Sequence, residues 1–335
     1  MQGNELKSAE AGQGGSWCDP GRLSWVRVSG ADAARFLDNF TTAAVGSVAE
    51  GHGCEGFFTD VRGQVICLAG LLRCGLEAGE EPAVEIVADG DVGGALAEHL
   101  ERYHIREPIE IEDISASRLT IALLGDGIAS GLAARAVGPR KPADLTAAFD
   151  HALVTLASTE GTAAVARLVR CDWGGPHGWL LACGGDDADA AHAALTAAGF
   201  THQGSSAWEQ ARIEAGTPRQ CDLLPKTLPQ ELGRDARAIS FTKGCYLGQE
   251  TVARLDALGH VNRRLVTLTV AGDAVPPAGA AITSGSKTIG EVTSSCLSPS
   301  LGKPLALAIL PVKAITAEAE LTIAGHPAQP HLPEP

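Results

Sequence analysis

The segment KGCYLGQE, in the last third of the chain, places a lone cysteine between a lysine and the expected start of a helix. The spacing predicts a helix that begins near Leu247 or Gly248 and stops at Gly259, a residue suited to the position after a helix. Cys245 therefore lies just outside a helix N-terminus. The unpaired N–H groups there, with the ammonium of Lys243 nearby, favour a thiolate, so Cys245 is a candidate functional thiol.

A purely structural use of the same segment is the alternative. A free cysteine often packs as a small apolar residue, and Gly244 and Gly248 would then serve a turn or a close backbone approach. The helix that follows carries Glu250 and Arg254 four residues apart, the spacing at which side chains on one helix face are neighbours. The residues alone leave both interpretations open.

A second candidate is an acidic residue at the end of another predicted helix. Residues 207–218 predict a helix that is stopped by Gly216 and Pro218. Glu214 falls near its C-terminus, where the helix dipole disfavours a carboxylate. That placement suggests a functional reason, and an ordinary surface glutamate is the structural alternative.

The elements that must position these residues are short strands that alternate with single helices. Residues 23–28 alternate like a half-buried strand, residues 57–69 predict a hairpin, and residues 84–111 predict a strand, a helix and a strand. Connections too short for long crossovers favour α+β sheets of the ferredoxin type. From Arg264 onward, short alternating runs separated by Gly, Pro and Ser predict an all-β barrel.

Composition restricts the class of protein. A chain of 335 residues exceeds the usual size of one core, so two or three domains are expected. With 26 Lys and Arg against 40 Asp and Glu, the net charge of −14 argues against a broad nucleic-acid surface, and no apolar run is long enough to span a membrane. Nine cysteines without a Cys-x-x-Cys pair, and histidines without ligand spacing, predict reduced thiols in the cytoplasm and no metal site.

The segment KGCYLGQE, followed by Arg254, Gly259 and the Arg-Arg-Leu of residues 263–265, resembles the signature of the YgfZ family of folate-binding proteins, relatives of the glycine-cleavage T-protein. The phrase ARIEAGTP around Glu214 resembles the second signature of that family. The signature positions in this chain are Lys243, Gly244, Cys245, Tyr246, Gly248, Gln249, Glu250 and Arg254.

The resemblance implies a T-protein-like body of two intertwined ferredoxin-like units around a central folate channel, plus a C-terminal β-barrel. The expected organisation is a disordered tail over residues 1–16, the folate-binding body over 17–262, the barrel over 263–325 and a loose tail over 326–335.

The resemblance also implies a ligand and a role. In the T-protein branch, the glutamate matched by Glu214 accepts hydrogen bonds from the aminopyrimidine edge of folate, so Glu214, Arg212 and Lys243 are expected to bind tetrahydrofolate or a derivative. Members support the assembly or repair of iron–sulfur enzymes, including those that modify tRNA, which makes iron–sulfur client proteins the expected partners. The alternatives are a folate-dependent aminomethyltransferase-like one-carbon enzyme and a non-catalytic folate-binding scaffold.

One departure from the transferase pattern bears on these alternatives. The T-protein branch has a pair of aspartates after the hairpin turn, and this chain has Cys67 and Leu68 there. Neither side chain can act on a folate nitrogen as a carboxylate does, which weighs against aminomethyl transfer.

Overall fold

Two stacked, mainly antiparallel sheets form the body of the protein, and a third sheet curls into a barrel. The computed structural model describes residues 14–75, 81–138, 140–157, 162–316 and 320–331. Residues 1–13 of the expected tail lie outside this range. Ser16, also expected in the tail, instead opens the first strand, because it pairs with Leu124 and Thr201 of two later strands.

The body holds most of the helices and strands. In chain order they are β1 Ser16–Cys18, β2 Leu23–Ser29, α1 Ala33–Leu37, β3 Gly53–Thr59, β4 Val65–Cys74, β5 Ala83–Asp89, α2 Gly93–Glu101, β6 Glu110–Asp113, β7 Arg118–Leu124, α3 Ile128–Leu132, β8 Ala136–Val137, β9 His151–Ala157, β10 Ala163–Arg170, β11 Gly178–Gly184, α4 Ala188–Ala197, β12 Thr201–His202, α5 Ser206–Glu214, α6 Asp235–Ala238 and α7 Gln249–Leu258. The strands of the barrel are β13 Arg263–Val270, β14 Ala281–Ser284, β15 Lys287–Glu291, β16 Ser294–Ser298, β17 Lys303–Pro311, β18 Leu321–Ile323 and β19 His326–His331.

The first unit is a five-stranded sheet in the order β3-β4-β5-β2-β6. Helices α1 and α2 cover one face, where Phe36, Leu37 and Leu96 pack with Ile86 in one apolar cluster. Strand β4 is an almost unbroken apolar run because both of its faces are covered. The hairpin predicted for residues 57–69 is the β3–β4 pair.

The second unit is a seven-stranded sheet in the order β12-β1-β7-β11-β10-β9-β8, with α3 and α4 on its outer face. Its inner face packs on the first sheet through a cluster that includes Trp25, Phe149, Leu180 and Trp208. Because β1 precedes the first unit in the chain but pairs in the second, the two units are intertwined.

The barrel has the strand order β15-β14-β18-β19-β13-β17-β16. Its last strand corrects one expectation, since residues 326–331 were predicted to be a loose tail. Instead β19 pairs with β13 and β18, and Ala328 is buried in the barrel core. The prolines in this segment do not prevent pairing because the neighbouring residues supply the contacts that close the barrel.

The barrel also shares a core with the body. Leu265, Leu305 and Ile309 of the barrel pack in one cluster with Phe57 and Ile213 of the body. Across the described part of the chain, every helix is too short or too polar to cross a membrane.

Candidate functional site

Residues 239–248, called the signature loop below, run between α6 and α7 on the surface of the first unit. Three hydrogen bonds fasten the ends of the loop: Ser240 N to Thr42 O at 2.9 Å, Leu247 N to Asn39 O at 2.8 Å, and Thr59 Oγ1 to Leu247 O at 2.7 Å. Gly248 has a positive φ of 82°, and a Cβ there would lie 2.5 Å from the Asp60 carbonyl oxygen. Only glycine fits where the loop passes the β3–β4 turn.

Helix α7 begins at Gln249 and ends before Gly259, whose φ is 70°, so the predicted boundaries agree with the structure to within two residues. Glu250 and Arg254 are both exposed on it. Within the described residues these two side chains make no ion pair, although the spacing would permit one.

Cys245 is exposed near the middle of the signature loop. Six of the other cysteines are buried, Cys54 is partly buried, and Cys221 is the second exposed cysteine. The thiol of Cys221 is nevertheless desolvated where it contacts the Ser294 hydroxyl, and this burial, reinforced by Asp222, raises its pKa. Cys245 is therefore the cysteine that the fold exposes to solvent on a loop whose ends are held by hydrogen bonds.

Lys243 lies in the same loop, but its ammonium points into the protein. The side chain is 5% exposed, and Nζ donates hydrogen bonds to the carbonyl oxygens of Asp38 at 2.8 Å, of Thr41 at 2.9 Å and of Ala43. Burial lowers the pKa of Lys243, although the Asp38 carboxylate opposes this. Burial also raises the pKa of the neighbouring Cys54 thiol to about 12, against the charge of Lys243.

Tyr246 and Gly244 complete the signature loop. Tyr246 is buried, its ring centroid lies 5.3 Å from Lys243 Nζ, and burial raises the pKa of its phenol to about 12. Gly244 is exposed and faces open space, so nothing in the structure requires glycine at that position.

Glu214 ends α5 and is held by the barrel. Its Oε1 accepts hydrogen bonds from the hydroxyl of Ser298, from Ser300 N at 3.1 Å and from Ser300 Oγ at 2.8 Å. These donors offset the unfavourable position of a carboxylate at a helix C-terminus. Among the described residues, all hydrogen bonds to Glu214 fall on this one oxygen.

Arg212, two residues earlier, is the centre of a buried network with 1% of its side chain exposed. All five guanidinium N–H groups are used. The acceptors are both carboxylate oxygens of Glu209, the Thr217 carbonyl at 3.0 Å, Asp222 Oδ2 at 2.8 Å and Ser294 Oγ at 2.6 Å. Arg212 thus joins α5 to strand β16 of the barrel.

A small cleft, partly open to solvent and enclosing only about 10 Å³, lies where the two units and the segment after α5 meet. Its walls are mainly apolar, and its polar groups are one acid, one arginine and one amide. The lining residues are Leu68, Asp89, Trp173, Pro218, Arg219, Gln220 and Leu223.

Asp89 and Arg219 form the polar end of this cleft. Arg219 Nε donates to Asp89 Oδ1 at 2.6 Å, and the backbone N–H of Gln220 donates to Oδ2 at 2.9 Å. Burial raises the pKa of Asp89, while Arg219 acts in the opposite direction. Arg219 also binds Glu209 at 3.1 Å, which connects the cleft to the Arg212 network. For Glu209, the two arginines outweigh burial and lower its pKa.

Trp173 forms the aromatic wall of the cleft and is held from behind. Its indole N–H donates to Glu55 Oε1 at 2.6 Å, and the other oxygen of Glu55 accepts from Arg234 Nε at 2.7 Å. Phe149 packs edge-on against the indole at 5.6 Å between centroids. The orientation of this ring is therefore fixed before any ligand binds.

The structure separates Cys67 and Leu68, the two residues that the resemblance places at the transferase aspartate positions. Leu68 lines the cleft, whereas Cys67, its neighbour in β4, points to the opposite face and is fully buried in the core of the first unit. Burial raises the pKa of Cys67 to about 12. The cleft therefore has a leucine at the position where the transferase pattern has a carboxylate.

The predicted site residues fall into two groups, one on the signature loop with the start of α7 and one on α5, and neither group lines the cleft. Asp89, Trp173 and Arg219 were not predicted from the sequence. One signal did exist for Asp89, because a polar residue directly follows the buried run of β5. In the described part of the chain, no cluster of His, Cys, Asp or Glu has the arrangement of a metal site.

Two α+β units in contact with a C-terminal barrel, with a cleft between them, define the architecture of a T-protein-like body. The crystal structure of the glycine cleavage system aminomethyltransferase T from Bartonella henselae matches this fold with a TM-score of 0.77 at 20% identity, over 96% of this chain and 86% of that one. This likeness confirms the predicted fold class.

The family follows from the sequence matches. The model of the GCVT N-terminal domain matches residues 10–243, and that of the glycine cleavage T-protein C-terminal barrel domain matches residues 263–333. The chain belongs to the glycine cleavage T-protein family.

Two relatives of this chain have names that refer to different functions. A putative chloroplastic transferase of Arabidopsis thaliana is 29% identical over 80% of this chain, but the match covers only 59% of that protein. The human mitochondrial iron–sulfur cluster assembly factor IBA57 is 27% identical over 79% of this chain and 70% of that protein.

Proposed function

We propose that this protein is a YgfZ-type member of its family that binds tetrahydrofolate, or a derivative, and supports the assembly or repair of iron–sulfur enzymes. The observation that carries the proposal is the combination of a family cleft lined by Leu68 with an exposed cysteine on a firmly held loop. A carboxylate is missing where aminomethyl transfer needs one, and a thiol is presented where another protein can reach it.

The residues of the cleft fit part of a folate. Leu68 and Leu223 offer apolar contacts, and Trp173, which is 5% exposed, offers the edge of its ring. Both oxygens of Asp89 already accept donors from Arg219 and Gln220. The enclosed part of the cleft, about 10 Å³, has room for about one water molecule, so a folate would lie outside it, against its apolar walls. Bound tetrahydrofolate supplies ring nitrogens that carry one-carbon units.

Glu214 lies outside the cleft, and it remains our proposed contact for the aminopyrimidine edge, through the oxygen that Ser298 and Ser300 leave open. In this proposal the ring edge is bound at the end of α5, beside the cleft. Arg212 and Lys243 were expected to contact the ligand directly, but their donors are taken by protein groups. We assign both an indirect part: Arg212 holds α5 and Glu214 against the barrel, and Lys243 holds the signature loop.

The partners of such a protein are iron–sulfur client enzymes, including enzymes that modify tRNA. The similarity to an iron–sulfur cluster assembly factor supports this assignment. The nine free cysteines suit a reducing compartment such as the cytoplasm.

A complementation and binding assay tests the proposal. Purified protein is titrated calorimetrically with tetrahydrofolate, and the gene is expressed in a strain that is deficient in iron–sulfur enzyme activity. We expect saturable folate binding and restored activity of the client enzymes. A protein that binds no folate and restores nothing would exclude the proposal.

The aminomethyltransferase alternative draws on the family itself, whose description names the glycine cleavage T-protein. It predicts formation of methylene-tetrahydrofolate from an aminomethylated lipoyl carrier. The scaffold alternative predicts folate binding with full tolerance of Cys245→Ala. The same two assays, with the transfer reaction added, separate all three functions.

A further inference from the structure

The position of the Lys243 ammonium assigns this residue a task that differs from ligand binding. We propose that Lys243 is a positioning residue that clamps the signature loop to residues 38–43 and so fixes the place from which Cys245 is presented. This inference rests on the proposed function, because it concerns how the thiol reaches a client protein.

The contacts of Lys243 match the chemistry of an ammonium. Three N–H donors meet three carbonyl oxygens, those of Asp38, Thr41 and Ala43, and the Asp38 carboxylate adds an ionic contact at 3.4 Å. Asp38 caps the C-terminus of α1, where carbonyl groups lack helical partners and carry partial negative charge. The ring of Tyr246, 5.3 Å from Nζ, closes the remaining side.

The clamp lies in the middle of the loop, between its two fastened ends. Backbone bonds hold Ser240 on one side and Leu247 on the other, and neither depends on the lysine. Between them, Phe241, Thr242, Gly244 and Cys245 are all exposed and make no backbone hydrogen bond within the described residues. Lys243 is thus the anchor for the exposed part of the loop, and its loss should free that part without unfolding the protein.

Cys54 provides an internal sensor of the clamp. It is partly buried against the core of the first unit, and it is close enough to Lys243 for the two charges to interact. As long as the loop is held down, this thiol is shielded from reagents. Opening of the clamp should expose it.

An arginine would not replace the lysine in this position. The guanidinium is a planar fork, whereas the three carbonyl oxygens surround a single compact cation. Replacing Lys243 by arginine keeps the positive charge but changes its shape, so this variant distinguishes a clamp from a simple electrostatic effect on the thiol. A clamp fails in Lys243→Arg and in Lys243→Met, whereas a purely electrostatic role survives in the arginine variant.

The test uses the full-length chain with Cys221→Ser as background, so that Cys245 is the exposed cysteine that reacts first. A nitroxide label on Cys245 reports loop mobility by its spectrum at a temperature well below the unfolding transition. Lys243→Met and Lys243→Arg are compared with Lys287→Met, which removes an exposed lysine from the barrel. The alkylation rate of Cys54 is measured by mass spectrometry in the same proteins without the label.

We expect a more mobile label in both Lys243 variants, and a rate of Cys54 alkylation raised about ten- to a hundredfold, the factor by which losing one or two charge-assisted hydrogen bonds favours local opening. Lys287→Met should match the background protein. Unchanged label mobility and unchanged protection of Cys54 in Lys243→Met would overturn the clamp. Full rescue of client enzymes by Cys245→Ala would instead remove the proposed role of the thiol, and a wild-type protein that restores no client enzyme would remove the proposed function. Both outcomes leave the clamp measurable, so the failures are distinguishable.

Discussion

The signature loop and the central cleft hold their charges in opposite ways. In the loop, one buried ammonium donates to three backbone carbonyl groups and has one carboxylate, Asp38, at 3.4 Å, while the Cys245 side chain is exposed. In the cleft, Asp89 and Arg219 neutralise each other in a recess between apolar walls. The loop is built to present a group to the surface, whereas the cleft is built to keep polar groups fixed inside. The two regions should therefore respond very differently to substitution.

The largest effect is expected in the network behind the cleft. Arg212→Met should lower the free energy of unfolding by about 3–5 kcal/mol, because it leaves the buried Asp222 and the half-buried Glu209 with fewer donors. Chemical denaturation measures the difference. Arg254→Met, on the exposed face of α7, is the matched control and should change stability by less than about 0.5 kcal/mol. Equal stability of the two variants would show that the network is not structural.

The next effect concerns the missing carboxylate of the cleft. We expect neither the wild-type protein nor Leu68→Asp to form methylene-tetrahydrofolate from a lipoyl carrier above a heat-killed control. The variant should also lose about 2 kcal/mol or more of stability, because a charged group replaces an apolar one in a mostly buried wall that already contains Asp89. Leu301→Asp, at an exposed position, controls for the chemical change. Transfer activity in either protein would favour the enzyme alternative.

A smaller effect is expected at Glu214. Glu214→Ala should weaken tetrahydrofolate binding by roughly 1–3 kcal/mol, the range for loss of a charge-assisted hydrogen bond. Calorimetric titration gives the affinity, and Glu291→Ala in the barrel is the exposed control. If the affinity is unchanged while the variant stays folded, the ring edge is recognised away from the end of α5, with Asp89 of the cleft as the next acceptor to test.

The sequence predicted the features that depend on neighbouring residues. The limits of α7 followed from the glycines at 248 and 259, and the β3–β4 hairpin followed from alternation around the turn. The features it did not predict depend on distant pairs. Lys243 donates hydrogen bonds to carbonyl groups about 200 residues earlier in the chain, and Arg219 donates to Asp89, which lies 130 residues earlier. No local pattern contains such contacts, so Lys243 was expected at the ligand.

The same reason explains the error at the C-terminus. Residues 326–331 contain prolines, which argue against a strand when only local preferences are considered. Their pairing with β13 and β18 is set by closure of the barrel and by burial of Ala328. In the cleft and in the barrel alike, tertiary contacts decided what the residue types left open.

Substitution of Cys245 should have the smallest effect on stability and the largest effect on function. The side chain is exposed and contributes to none of the apolar clusters, so Cys245→Ala should shift the free energy of unfolding by less than about 0.5 kcal/mol. If the thiol acts on client proteins, the same variant should no longer rescue iron–sulfur enzyme activity in a deficient strain, while its affinity for tetrahydrofolate stays at the wild-type value because the loop does not line the cleft.

Cys221→Ala is the matched control, since it removes the other exposed cysteine. It should rescue fully. Rescue by both variants would make Cys245 dispensable and leave the signature loop as a structural element beside the cleft. Loss of folate affinity in Cys245→Ala alone would contradict the separation of loop and cleft, because it would place the thiol in contact with the ligand.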